Sequence, residues 1–185
     1  NGEFQQQNKD IALTTINIFK KYHKIKINEK QILDGIKKTR WHGRLEFISK
    51  NVLADCAHNP SGFEVLKKEL ITIKKQKNIK NFILVVGIQD DKDISKMLKI
   101  INPLISTIIF TKSKNEKAKN PKQLLDIFNK INKNKKIQTK IIKNPKNALS
   151  YAKKIAKKSD LVVVAGSIYL GGEIIKHIFC VISPK

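Results

Sequence analysis

Three short polar segments of this 185-residue chain carry side chains able to do chemistry. Asp55-Cys56-Ala57-His58-Asn59-Pro60 puts a carboxylate and an imidazole directly ahead of an Asn-Pro pair of the kind that starts a helix. The unpaired N–H groups and positive dipole end of a helix start favour an anion, so a phosphate or carboxylate suits this place. Gly87-Ile88-Gln89-Asp90-Asp91-Lys92-Asp93 is a loop with both signs of charge, and Gly166-Ser167-Ile168-Tyr169 offers a hydroxyl in a small-residue turn. Taken singly, each has a plainer reading. Asp55 and Ser167 read as caps, His58 as a structural imidazole, Asp93 as the cap of the next helix, and Asp91-Lys92-Asp93 as a solvated loop.

The surrounding pattern is what would bring them together. Each segment follows a strand-like apolar run: Val52-Leu53-Ala54, Phe82 to Val86, and Leu161 to Ala165. Leu45 to Ile48 and Ile105 to Phe110 read as further strands, with Gln138 to Ile142 a weaker one. Runs apolar on both faces fit strands covered on both sides, the habit of parallel sheets. Helical patterns separate the strands, and three of them open with Asn-Pro, at Asn59-Pro60, Asn120-Pro121 and Asn144-Pro145. Apolar positions then recur at helical spacing, as in Leu124, Leu125, Phe128 and Ile131 or Ala148, Ala152, Ile155 and Ala156. This alternation predicts an α/β fold: a doubly wound, Rossmann-like, mostly parallel sheet with helices on both faces. Ligands of such sheets gather beyond the carboxyl ends of the strands, so the three polar turns are expected on one edge.

Two helical patterns come first. Ile11, Thr15, Ile18 and Tyr22 fall on one side of a helix, and Asn28 with Gln31 makes a capping box for Lys30 to Lys38. No GxGxxG fingerprint occurs, and Gly171-Gly172 does not follow a strand directly, which sets aside a nicotinamide or flavin site.

With 41% hydrophobic residues the chain can bury one sizeable core. No apolar run is long enough to span a bilayer, and Asn1-Gly2-Glu3-Phe4-Gln5 lacks a signal-peptide plan, so a cytoplasmic location and no membrane partner are expected. Cys56 and Cys180 have no CxxC spacing and no His/Cys cluster beside them, which argues for reduced thiols and against zinc or a disulfide framework. The formal charge of +23 raises nucleic acid as a partner. However, the lysines are spread along the whole chain and aromatics are only 6%, without basic-aromatic interleaving, so they read as solvated faces and no nucleic-acid partner is expected. The charge would still steer anionic substrates toward the protein.

Read in order, Gly43-Arg44-Leu45-Glu46, Asp55 to Pro60, Gly87 with Asp91-Lys92-Asp93, and Gly166-Ser167-Ile168-Tyr169-Leu170 resemble the landmarks of the folylpolyglutamate synthase/dihydrofolate synthase carboxy-terminal domain, within the Mur ligase superfamily. Upstream, Gly2 to Asn8 is similar to that family's G-x-x-Q-x-x-N segment, at the end of its central ATPase domain. The resemblance spans essentially the whole chain. It implies two parts: residues 1–39 as the helical end of the ATPase domain and 40–185 as the glutamate-ligase domain. Two departures stand out, His42 where Trp-Pro-Gly-Arg is usual and Cys56 where the family has Gly. The first is expected to loosen the approach to the first strand, and the second requires a backbone conformation that a side chain tolerates.

The resemblance also implies roles. Family members use ATP to phosphorylate a pteroate or folate carboxylate, and the amine of glutamate attacks the acyl phosphate. By resemblance, Asn8, Arg44 and Asp55 would contact ATP, while His58 and Ser167 would hold the incoming L-glutamate. Arg44 and His58 would be the catalytic pair, the planar guanidinium being suited to phosphate oxygens. Asp91, Lys92 and Asp93 are weaker candidates for the same cleft. Mg2+ would be bound mainly by the amino-terminal domain, with no metal ligand assigned here. No P-loop GxxxxGK[ST] occurs in these residues, so the chain is expected to need an amino-terminal ATPase domain of the same polypeptide and to be inactive alone. A monomer is expected. Two alternatives remain: a cell-wall-type ligase of the same superfamily, and a basic nucleic-acid-binding module.

Overall fold

The computed structural model describes residues 3–23, 25–39, 41–133 and 136–182, without the side chains of residues 3–5 and 179–182. Gly2 of the upstream motif, Arg40 at the expected domain boundary and the thiol of Cys180 therefore lie outside what is described. The chain forms two compact units that divide between Trp41 and His42.

The first unit holds α1 (Glu3–His23) and α2 (Glu29–Lys38). The capping box is present: Asn28 Oδ1 accepts the Gln31 N–H and Gln31 Oε1 accepts the Asn28 N–H, both at 2.9 Å. Ile11, Ile18 and Tyr22 do fall along α1, but all three are exposed, Tyr22 by 69%.

The second unit is a six-stranded sheet in the order β1-β2-β6-β3-β4-β5, from β1 (Glu46–Ser49), β2 (Val52–Ala54), β3 (Asn81–Val86), β4 (Ile105–Phe110), β5 (Gln138–Ile141) and β6 (Asp160–Ala165). Every pairing is parallel except the short β1–β2 hairpin. Alternation sorts the strand residues onto two apolar layers: Phe82, Leu84, Val86, Leu161 and Val163 face one, while Ile83, Val85, Val162 and Val164 face the other.

The first layer is covered by α3 (Pro60–Gln76), α4 (Ile94–Ile101) and α5 (Pro121–Ile131), through Phe63, Leu66, Leu70, Met97, Leu98, Leu124 and Phe128. The second is covered by α6 (Pro145–Ile155) and α7 (Ile168–Ile182), through Ala148, Leu149, Ala152, Leu170 and Ile174. Each large side chain fully buried here contributes about 1.5–3 kcal/mol of transfer free energy. All three Asn-Pro starts act as N-caps: Asn59 accepts the Gly62 N–H, Asn120 that of Lys122, and Asn144 those of Lys146 and Asn147.

The connections through α3, α4 and α5 run β2 to β3 to β4 to β5 on one face. The connection through α6 then returns on the other face to insert β6 between β2 and β3. The crevice of a doubly wound sheet forms beside such a reversal, which here lies at the carboxyl ends of β2, β6 and β3. Among the described residues, no helix is long and apolar enough to cross a membrane.

Candidate functional site

The rim is built from backbone first. Asp55 N–H donates to Val164 O at 2.9 Å, extending the β2–β6 ladder by one step, and Gly166 N–H donates to Ala57 O at 2.9 Å. The turns that follow β2 and β6 are thereby tied to each other. Gly87, at the end of β3, donates to Ala165 O at 3.4 Å and joins the third turn to the same edge. Gly166 has φ 110°, and an added Cβ would meet Gly87 O at 2.8 Å, so both the conformation and the close approach require glycine.

Asp55 does not cap α3; Asn59 does that. Its carboxylate accepts the Ala57 N–H at 2.8 Å and the Leu45 N–H at 3.0 Å, and it is nearly buried. Burial pushes the Asp55 carboxyl above the ordinary aspartate range, against the opposing pull of those two N–H groups and of the Arg44 and His58 charges. Those opposing effects place Arg44 and His58 within the electrostatic field of Asp55. Arg44 itself is exposed, and its guanidinium makes no hydrogen bond or ion pair among the described residues. The His58 ring is half-buried and hydrogen-bonds Cys56 O through Nδ1 at 2.9 Å. A carbonyl only accepts, so Nδ1 carries the proton and Nε2 is the lone-pair nitrogen of the neutral ring.

Ser167 is buried, and its Oγ accepts the Tyr169 N–H at 3.1 Å, which leaves its hydroxyl proton available as a donor at the start of α7. Asp93 caps α4 through the Lys96 N–H at 2.9 Å, as its plainer reading holds. Asp91 and Lys92 form an ion pair at 2.9 Å in the loop between β3 and α4. The structure thus brings Arg44, Asp55, His58 and Ser167 to one end of the sheet, with Asp91 and Lys92 on the adjoining turn. Asn8 lies on the exposed surface of α1, in the first unit. Among the described residues no group of three His, Cys, Asp or Glu side chains could hold a metal ion.

Both departures from the family pattern have local explanations. His42 Nδ1 and the Gly43 N–H meet the two oxygens of Glu46 at 2.9 and 2.8 Å, so the approach to β1 is tied. Cys56 has no positive φ, and its thiol occupies the space left by two glycines, since an added Cβ at Gly171 would lie 2.7 Å from Sγ. Glu46 stood in the sequence pattern without a role. A carboxylate four residues beyond His42 and three beyond Gly43 was the available signal.

The family model described as Mur ligase, glutamate ligase domain, matches residues 43–168. The chain belongs to this family. Among curated relatives, this Mur ligase domain is 32% identical to a folylpolyglutamate synthase of Lacticaseibacillus casei over 109 residues, 58% of the chain and 24% of the relative. It is 30% identical to a UDP-N-acetylmuramoyl-L-alanyl-D-glutamate–2,6-diaminopimelate ligase of Clostridium acetobutylicum over 150 residues, 76% of the chain and 30% of the relative. Among solved structures, a folylpolyglutamate synthase of Mycobacterium tuberculosis complexed with ADP superposes with a TM-score of 0.79, covering 96% of the chain and 40% of that structure at 19% identity. The chain spans less than half the length of the curated relatives it matches.

Proposed function

We propose that the chain is the carboxy-terminal part of a folylpolyglutamate synthase/dihydrofolate synthase, an ADP-forming ligase that joins L-glutamate to dihydropteroate or a folate. The observation that supports this reading is the rim at the ends of β2 and β6, where a buried carboxylate, an exposed guanidinium, an imidazole and a serine hydroxyl lie at one end of the sheet. ATP supplies the phosphoryl group that activates the folate carboxylate. Arg44 neutralises charge on the phosphate oxygens, and Asp55 orients the nucleotide; Asn8, on the first unit, is by resemblance a nucleotide contact in its own right. Ser167 donates to a carboxylate of the incoming glutamate beside the α7 start, and His58 holds the same amino acid through Nε2.

The exposed Ile11, Ile18 and Tyr22 support reading residues 1–39 as the edge of a preceding ATPase domain, with 40–185 as the glutamate-ligase domain. With no P-loop in its own sequence, the chain has no turnover by itself, and Mg2+ is bound by that other domain. An assay of dihydropteroate, ATP and glutamate tests this directly: the 185-residue chain gives no ligation, and measurable turnover would sink the reading.

The match to a diaminopimelate-adding ligase favours one second reading, a cell-wall-type enzyme with the same chemistry. Calorimetric titration separates the two. L-glutamate binding more tightly than meso-diaminopimelate supports the folate enzyme, and the reverse order supports the other.

A further inference from the structure

The loops after β3 (Gly87–Asp93) and β4 (Thr111–Asn120) do not leave the sheet separately. Asp90 N–H donates to Lys117 O and Lys119 N–H to Ile88 O, both at 2.9 Å, and Gln89 pairs with Ala118 as an isolated antiparallel bridge. Two loops from neighbouring parallel strands thus form one short antiparallel ribbon at the rim. A single side-chain atom holds both halves: Asn115 Oδ1 accepts the Lys117 N–H at 3.0 Å and a Gln89 Nε2 hydrogen at 3.2 Å. The Asn115 carbonyl also accepts the Ala118 N–H at 3.0 Å, which closes the turn.

The ribbon carries charge to the candidate site. Lys92 lies on its β3 side, half-buried, and its hydrogen bond to Asp91 holds that carboxyl below its usual range, with a lesser pull from the charge of Lys117 on the β4 side. The ribbon root, Gly87, packs against Gly166 beside Ser167. We infer that Asn115 is a positioning residue of the proposed ligase site, clasping the two loops into one wall that fixes Lys92 where an anionic amino acid meets the rim. This rests on the reading proposed above.

Without the clasp, two donors lose their acceptor and the ribbon depends on solvent-exposed backbone bonds. The cost of ordering it then falls on ligand binding. Two variants of the 185-residue chain separate the cases. Asn115→Ala removes the acceptor, and Asn115→Asp keeps it.

By NMR, Asn115→Ala is expected to speed amide exchange at Asp90 and Lys119 together by about tenfold, the loss of roughly one hydrogen bond. L-glutamate affinity should fall by about tenfold as well, and Asn115→Asp should restore both. Unchanged exchange in Asn115→Ala, or faster exchange with unchanged glutamate affinity, would overturn the inference. Absence of any glutamate-induced shift in the unaltered chain would remove the ligase reading and this inference with it. That failure is distinguishable because the exchange comparison uses no ligand.

Discussion

The Asp55 carboxylate accepts the Leu45 N–H at 3.0 Å, and Leu45 holds a left-handed backbone with φ 47°. Such a conformation costs a β-carbon residue roughly 1–2 kcal/mol, so the bond offsets a local strain. The same bond fixes the chain immediately after Arg44. A buried acid therefore sets the place of an exposed base.

Removing that acid should be costly. Asp55→Ala leaves two N–H groups without their charged acceptor and is expected to destabilise the chain by about 2–3 kcal/mol, measured by urea unfolding. A loss under about 0.5 kcal/mol would show that Leu45 holds its conformation without Asp55.

The pH dependence has a definite sign. Burial raises the folded-state pKa of Asp55 above the ordinary value of 3.8, so the folded chain holds this proton more tightly than the unfolded chain. That contribution to stability is complete below 3.8 and is lost as pH rises through the raised value. The stability of the wild type relative to Asp55→Asn should accordingly fall from acid toward neutral pH. A relative stability that grows over the same range would contradict the burial argument.

Arg44 is expected to behave in the opposite way. Arg44→Ala should change unfolding stability by no more than about 0.5 kcal/mol, since the side chain is exposed and has no partner among the described residues. In a polypeptide that carries the P-loop domain, turnover should fall by about 100-fold or more, because a phosphate-gripping group acts mainly in the transition state. Equal losses of folding and turnover would make it a structural arginine.

Gly166→Ala tests how tightly the turns are joined. With φ 110° and Gly87 O 2.8 Å from the added carbon, the substitution should cost about 2–3 kcal/mol in thermal or urea unfolding. A neutral substitution would mean that the β3 and β6 turns are free to separate.

Cys56 reports on the same acid. Its thiol is raised above the ordinary value of 9.0 by burial, then by the Asp55 charge. In a Cys180→Ser background, iodoacetamide labelling of Cys56 should be slow at neutral pH, and Asp55→Asn should move its pH profile downward. An upward or unchanged profile would place the thiol outside the field of Asp55.

Much of this was legible in the sequence because it depended on local rules. Continuous apolar runs marked β3, β4 and β6 as strands covered on both faces, and Asn-Pro pairs marked three helix starts. The motif segments fell at strand ends, and the parallel topology then placed them on one edge. The contacts that join them were not legible. The Leu45–Asp55 bond hangs on a side chain at the open end of the β1–β2 hairpin, the Gly166–Ala57 bond on the insertion of β6 beside β2, and the Asn115 clasp on the meeting of two loops. No periodicity encodes a left-handed leucine, and Glu46 looked like one more strand residue until its two oxygens met His42 and Gly43.

The most direct test maps ligand contacts on the chain itself. In 15N-labelled protein titrated with ADP and then L-glutamate, amide shifts should concentrate at Gly43–Glu46, Asp55–Gly62 and Gly166–Leu170. Shifts confined to the opposite edge, at Lys80–Asn81, Ile105–Ser106 and Lys157–Asp160, or no shifts with either ligand, would contradict the account.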